Sequence, residues 1–242
     1  MTAVVTGGAN GLGAAIARRL HADGHAVVIA DVDGAGAREL ATSLDPTTAR
    51  GRAVDVTDRE ALTGLLESVV AEFGPVRVLV NNAARTKATP LFDITPEEFD
   101  EVMAVNVTGT FQACQVFGAH MAEQGYGRIV NMASLAGQNG GTATGGHYAS
   151  SKGAIMSATK VFARELASRS VTVNAVSPGP QDSPAVRGIV GEENLEAFAR
   201  NIPVGRLGDP AFVADVVALL ASPRAHSVTG ACWDINGGLH MR

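Results

Sequence analysis

Apolar runs at Ala3–Thr6, Ala26–Ala30, Arg52–Val54, Val76–Val80, Arg128–Met132, Val171–Val176 and Cys232–Ile235 alternate with longer amphipathic stretches. The runs are short, rich in valine and bounded by glycine, asparagine or aspartate, as strands buried on both faces are. Between them, helical spacing marks Gly11–Asp23, Gly34–Leu44, Asp58–Phe73, Pro96–Glu123, His147–Ser168 and Pro210–Ala221. Strand and crossover helix in alternation predict a parallel sheet of about seven strands with helices on both faces, an α/β domain. The span 178–209 breaks this rhythm and predicts only a short helix, Glu192–Asn201. An irregular stretch of that length in a compact domain is usually functional, and it is expected to form a lid over a substrate.

The sequence of 242 residues fits one domain, and no repeat or linker divides it. A net charge of −5 and a pI near 5.7 give no reason to expect nucleic acid or an anionic membrane as partner. With the first strand starting at Ala3, no signal peptide is expected, and Cys114 and Cys232 have no metal or redox spacing. Buried thiols and a cytoplasmic location are the expectation. The six histidines are scattered, so no metal site is expected.

Chemistry concentrates where strands give way to helices. Thr6-Gly7-Gly8-Ala9-Asn10-Gly11-Leu12-Gly13 lies between the first strand and the first helix. Glycines let such a turn approach a pyrophosphate whose charge is favoured at the helix N-terminus. In this strand–turn–helix context the segment reads as the nucleotide loop of a doubly wound Rossmann sheet. Asp31 ends the second strand and matches the acid that binds adenosine ribose hydroxyls, although a helix N-cap is the plainer alternative. A carboxylate there repels a 2′-phosphate, and neither Val32 nor Asp33 offers an arginine, so NAD is favoured over NADP. Asp55-Val56 after the third strand could meet the adenine, and Asp58 reads as an N-cap. Asn82, Ala83 and Ala84 follow the fourth strand on the same rim, and Pro178-Gly179 leads the sixth strand out over it. Any one of these stretches could be an ordinary turn.

Tyr148-Ala149-Ser150-Ser151-Lys152 places a phenol and an ammonium four residues apart on one helical face, with Ser134 a short loop upstream. Hydride transfer to a carbonyl needs a proton for the developing alkoxide, and the reverse needs a base. A phenol with a pKa of about 10 becomes a usable base when a cation within about 4–6 Å favours the phenolate. A surface Tyr–Lys pair is the plainer alternative. With only three lysines among 19 basic residues, the ammonium at 152 stands out.

TGGANGLG at 6–13, NNAA at 81–84, NVTG around Asn106, NMAS ending in Ser134, YASSK at 148–152 and PGPQDSP at 178–184 resemble, in this order, the short-chain dehydrogenase/reductase family. The resemblance covers essentially the whole chain and is nearest in layout to the 3-oxoacyl-thioester reductases, which commonly use NADPH. It implies that Ser134 polarises the carbonyl, Tyr148 is the general acid/base, and Lys152 binds the nicotinamide ribose and lowers the Tyr148 pKa. It further implies that Asn106 holds open a helix kink for a proton relay, though it could equally be a structural helix residue. Gln181 falls in the segment contacting the cofactor, and Ser183 stands where threonine meets the carboxamide. Homotetramers or homodimers packed through the helices at about 96–123 and 147–168 are implied as well. An NAD(H)-dependent alcohol/ketone oxidoreductase is expected, with a 3-oxoacyl-thioester reductase as alternative and a non-catalytic dinucleotide sensor more remote.

Three features depart from the pattern: Ala84 replaces a glycine, the Ser134–Tyr148 interval is long and rich in glycine and threonine, and His147 adjoins the tyrosine. Successive helix residues do not share a face. His147 therefore reads as a first-turn or rim residue rather than the base. In the lid, Ile189, Val190 and Phe198 are expected to supply apolar surface, and Arg187 and Arg200 to be solvated or to meet an acidic substrate.

Overall fold

In the computed structural model, which describes residues 1–141 and 144–242, seven parallel strands form one sheet of order β3-β2-β1-β4-β5-β6-β7. They are β1 (Thr2–Thr6), β2 (Ala26–Asp31), β3 (Ala49–Ala53), β4 (Val76–Asn81), β5 (Gly127–Met132), β6 (Val171–Pro178) and β7 (Cys232–Ile235). Helices α1 (Gly11–Ala22), α2 (Gly34–Leu44) and α10 (Pro210–Ala221) lie on one face. The other carries α3 (Arg59–Phe73), α5 (Thr110–Glu123) and α7 (Gly146–Leu166). Two apolar clusters sandwich the sheet, one around Ile16, Leu20, Ile29 and Val217, the other around Leu62, Leu79, Phe117 and Ile129. Each such side chain, buried fully, contributes about 1.5–3 kcal/mol. This is the doubly wound Rossmann-like architecture that the alternating pattern predicts.

The order reverses between β1 and β4, and the crevice outside the carboxyl ends of those strands is where open α/β sheets bind ligands. The glycine turn, Asn82 and Ser134 all leave strands at this rim.

Several expected boundaries move. The third strand runs over Ala49–Ala53 rather than Arg52–Val54, with Ala49 and Gly51 buried and Arg50 and Arg52 both paired with Glu72. Alternating arginines on an edge strand hide its period from a search for apolar runs. The helix expected over Pro96–Glu123 is three pieces: α4 (Pro96–Met103), a π-helical turn (Ala104–Gly109) and α5. Within 178–209 a helix α8 (Pro184–Val190) forms in addition to the expected one, and the expected Glu192–Asn201 helix is a 3-10 turn (Glu192–Asn194) followed by α9 (Leu195–Arg200). A one-turn helix α6 (Ala136–Asn139) occupies the long Ser134–Tyr148 interval. Thr142 and Ala143 of that interval, and the side chain of Ile189, lie outside the described residues. Cys114 is buried as expected and Cys232 only partly. Among the described residues no helix is long and apolar enough to cross a membrane.

Candidate active site

The glycine turn is built by close packing. A Cβ at Gly13 would overlap the carbonyl oxygen of Gly7, and Gly7 itself has φ +60° with its Cα face against Ala83. Asn82 braces the turn by donating from Nδ2 to Gly7 O at 2.7 Å, while Thr6 Oγ1 accepts from the amides of Asn82 and Ala83. The Asn82 carboxamide and the Ala83 amide thus shape the loop from within. Asn81 and Asn131, at the ends of β4 and β5, bond to each other at 2.8 Å in the core.

The residues fit a dinucleotide. Asn10 stands at the N-cap of α1 with no side-chain capping bond, whereas Asp33, Asp58 and Asp209 cap α2, α3 and α10. The first-turn amides of Gly11, Leu12 and Gly13 therefore have no capping side chain as acceptor, and a Cβ at Gly11 would meet nothing within 4 Å. Uncapped amides facing open space at a helix N-terminus suit a pyrophosphate. Asp31 is held on the rim by the amides of Ala9 and Asp33, both at 3.0 Å, and each oxygen keeps a lone pair for a ribose hydroxyl. The N-cap of α2 is Asp33, not Asp31. Val32 beside it is an exposed apolar side chain at 74%.

Asp55 closes a turn onto Thr57, and Val56 is buried against Gly109. On the far side of the crevice, Gly179 packs against Asn236 and Ser183 caps α8. Gln181 is buried and donates to Gly179 O, its Oε1 having no partner among the described groups. The arginines of the 178–209 segment are engaged: Arg187 bridges Asp182 and Glu192 across α8, and Arg200 pairs with Glu196. These pairs favour the solvated reading over recognition of an acidic substrate.

Ser134, Tyr148 and Lys152 converge at the rim. The Tyr148 phenol faces the hydroxyls of Ser134 and Thr86, and Lys152 Nζ is 5.6 Å from the Tyr148 ring centre. Lys152 is buried, donates to Met132 O at 2.6 Å, and has no carboxylate bridge among the described residues. Burial lowers its pKa to about 8. Burial also pushes the Tyr148 phenol above its usual value, opposed by the nearby hydroxyls of Ser134 and Thr86. The net direction for the phenol is thus upward, opposite to the lowering that a lysine neighbour alone would cause, because desolvation dominates. At neutral pH the phenol holds its proton.

Asn106 lies buried in the π-helical turn, exchanging bonds with the backbone of Arg85 and donating to Ser151 Oγ at 2.9 Å. The inserted residue of a π turn leaves it free for these contacts. It reaches Ser151, which bonds to Tyr148 O, rather than Lys152 itself. Thr86 and Ser151 had no signal in the sequence: one sits in an aperiodic loop, the other inside a helix whose period it does not alter.

The chain belongs to the short-chain dehydrogenase/reductase family. A family model described as enoyl-(acyl carrier protein) reductase matches residues 7–240. The 3-oxoacyl-(acyl-carrier-protein) reductase of Vibrio cholerae is 37% identical over 99% of this chain and 97% of its own. The 4-formylbenzenesulfonate dehydrogenase of Comamonas testosteroni is 40% identical over 99% and 97%, and the acetoacetyl-CoA reductase of Rhizobium meliloti 38% identical over 99% and 98%. The protein is accordingly an oxidoreductase of a family that uses a nicotinamide dinucleotide.

Proposed function

We propose that the protein interconverts a secondary alcohol and a ketone with NAD(H). The observation that carries this is the buried Lys152 ammonium, with no carboxylate partner among the described residues, beside a half-buried phenol that faces Ser134. When bound, the nicotinamide supplies or accepts the hydride. Ser134 holds the substrate oxygen, and Tyr148 gives it a proton in reduction or removes one in oxidation. Lys152 offsets the phenolate charge left behind, so the proton leaves Tyr148 without a bare anion in an apolar site. Asn106, through Ser151, fixes the turn of α7 that carries both groups. The lid at 178–209 covers the substrate and excludes water.

Asp31 supports NAD over NADP, since a carboxylate held by the amides of Ala9 and Asp33 would repel a 2′-phosphate beside it. A second reading, reduction of a 3-oxoacyl thioester, is favoured by the relatives that bear those names. One panel separates the two. Wild type is mixed with NADH or NADPH and with either acetoacetyl-CoA or simple ketones, and absorbance of the reduced cofactor is followed. NADH is expected to serve at least about tenfold better than NADPH, about 1.4 kcal/mol of discrimination. Preference for NADPH with thioesters alone would transfer the assignment to the second reading.

A further inference from the structure

His147 is 1% exposed, yet it contributes nothing to the chemistry above. Its Nε2 lies 3.0 Å from Glu98 Oε1 on α4, and because a carboxylate only accepts, Nε2 carries the proton. Hydrogen bonds, first from Thr89 and then from Lys87 and His147, hold Glu98 below the usual carboxylate range, so it stays ionised. The other Glu98 oxygen takes Lys87 Nζ at 3.2 Å, and Lys87 O accepts from the Gly145 amide at 2.9 Å. Gly145 is the N-cap of α7 and supplies no side-chain cap. A Cβ on it would overlap the imidazole, so the ring folds back over that residue only because it is glycine.

Two anchors therefore fix the loop 85–89. Asn106 grips it at Arg85, the Glu98–His147–Lys87 cluster ties Lys87 to the first turn of α7, and Glu101 on α4 pairs with both Arg85 and Lys87. Between the anchors sits Thr86, which faces the Tyr148 phenol. We propose that His147 is a positioning residue that clasps α7 to α4 through Glu98 and so holds the Tyr148 phenol against Ser134 and Thr86. This rests on Tyr148 being the proton carrier, and it extends that reading to the neighbouring histidine.

The test compares His147→Ala and Glu98→Ala, which break the clasp, with His147→Gln, whose terminal amide can still donate to Glu98. Turnover is expected to fall about 10- to 100-fold in the two breaking variants, the scale of a small misplacement at the reacting centre. Binding of NADH, read by its fluorescence, should stay within about twofold, and His147→Gln should recover turnover to within about threefold of wild type. A second readout needs no turnover. The chain has two tyrosines, and the Tyr126 hydroxyl has no partner among the described groups, so Tyr126→Phe leaves Tyr148 to titrate alone. Loss of the clasp should move the Tyr148 midpoint upward by about half a unit or more, as the phenolate loses the hydroxyls that stabilise it, and His147→Gln should restore it. If His147→Ala does not fold, Glu98→Ala, at a half-buried position on α4, carries the test. Folded breaking variants with the turnover and phenol midpoint of their parent would overturn the proposal. A wild type that binds NADH but turns nothing over would defeat the catalytic reading instead, and the titration would still decide the clasp.

Discussion

Tyr148→Phe is expected to lower ketone reduction about 10³- to 10⁴-fold, near the upper end of what a positioned proton donor contributes. The substitution removes one oxygen and leaves the ring, so packing around α7 should be undisturbed. The half-buried phenol retains its proton at neutral pH, so in the proposed mechanism it is the donor to the developing alkoxide, and among the described residues the Thr86 hydroxyl is the other group placed beside it and Ser134. NADH should bind within about threefold of wild type, because the loss falls on the transition state. Steady-state kinetics with fluorescence titration of the cofactor checks both. Retained turnover would require a different proton carrier.

The second large effect concerns Lys152, where function opposes stability. Its folded pKa is lowered from 10.5 to about 8 by burial. Between those values the unfolded chain binds a proton that the folded chain does not. Stability therefore rises with pH through that window, and below about pH 8 the full cost of burying the ammonium is present. The cost is roughly 3 kcal/mol. Lys152→Met removes it but leaves Met132 O without its donor, which costs about 1–2 kcal/mol. The variant is expected to melt a few degrees higher at pH 7, at about 2–4 °C per kcal/mol for a chain of this size. The advantage should shrink between about pH 8 and 10.5. Turnover should fall at least about 100-fold, since the phenolate then has no compensating charge. Melting curves at pH 7 and pH 10 decide the point, and a variant less stable at both would show that the ammonium is not penalised.

Much of this was legible in the chain because it depends on local rules. Strands buried on both faces read as apolar runs, and Asp58 announces its helix by ordinary capping chemistry. Glycine spacing marks the turn that Gly7 and Gly13 close, and Tyr148 and Lys152 share a face through helical period alone. What escaped depends on tertiary context. The π turn at Ala104–Gly109 has no periodic signature; a kink at Asn106 was implied only by the family resemblance, and its bonds to Arg85 and Ser151 come from tertiary contact. Ala49–Ala53 is a strand because β2 offers it a partner, despite two arginines. The direction of the Tyr148 shift was beyond sequence because desolvation depends on what surrounds the ring. His147 reads as a rim residue until α4 brings Glu98 to it.

The most direct measurement follows a single label. Protein is mixed with NADH carrying deuterium at both C4 positions and with a ketone that it reduces, and the product alcohol is examined by mass spectrometry and NMR. One deuterium on the carbinol carbon, with the oxygen-bound hydrogen drawn from solvent through Tyr148, is the expected result. An alcohol without deuterium at that carbon, or no alcohol from any ketone while NADH binds, would contradict hydride transfer at this site.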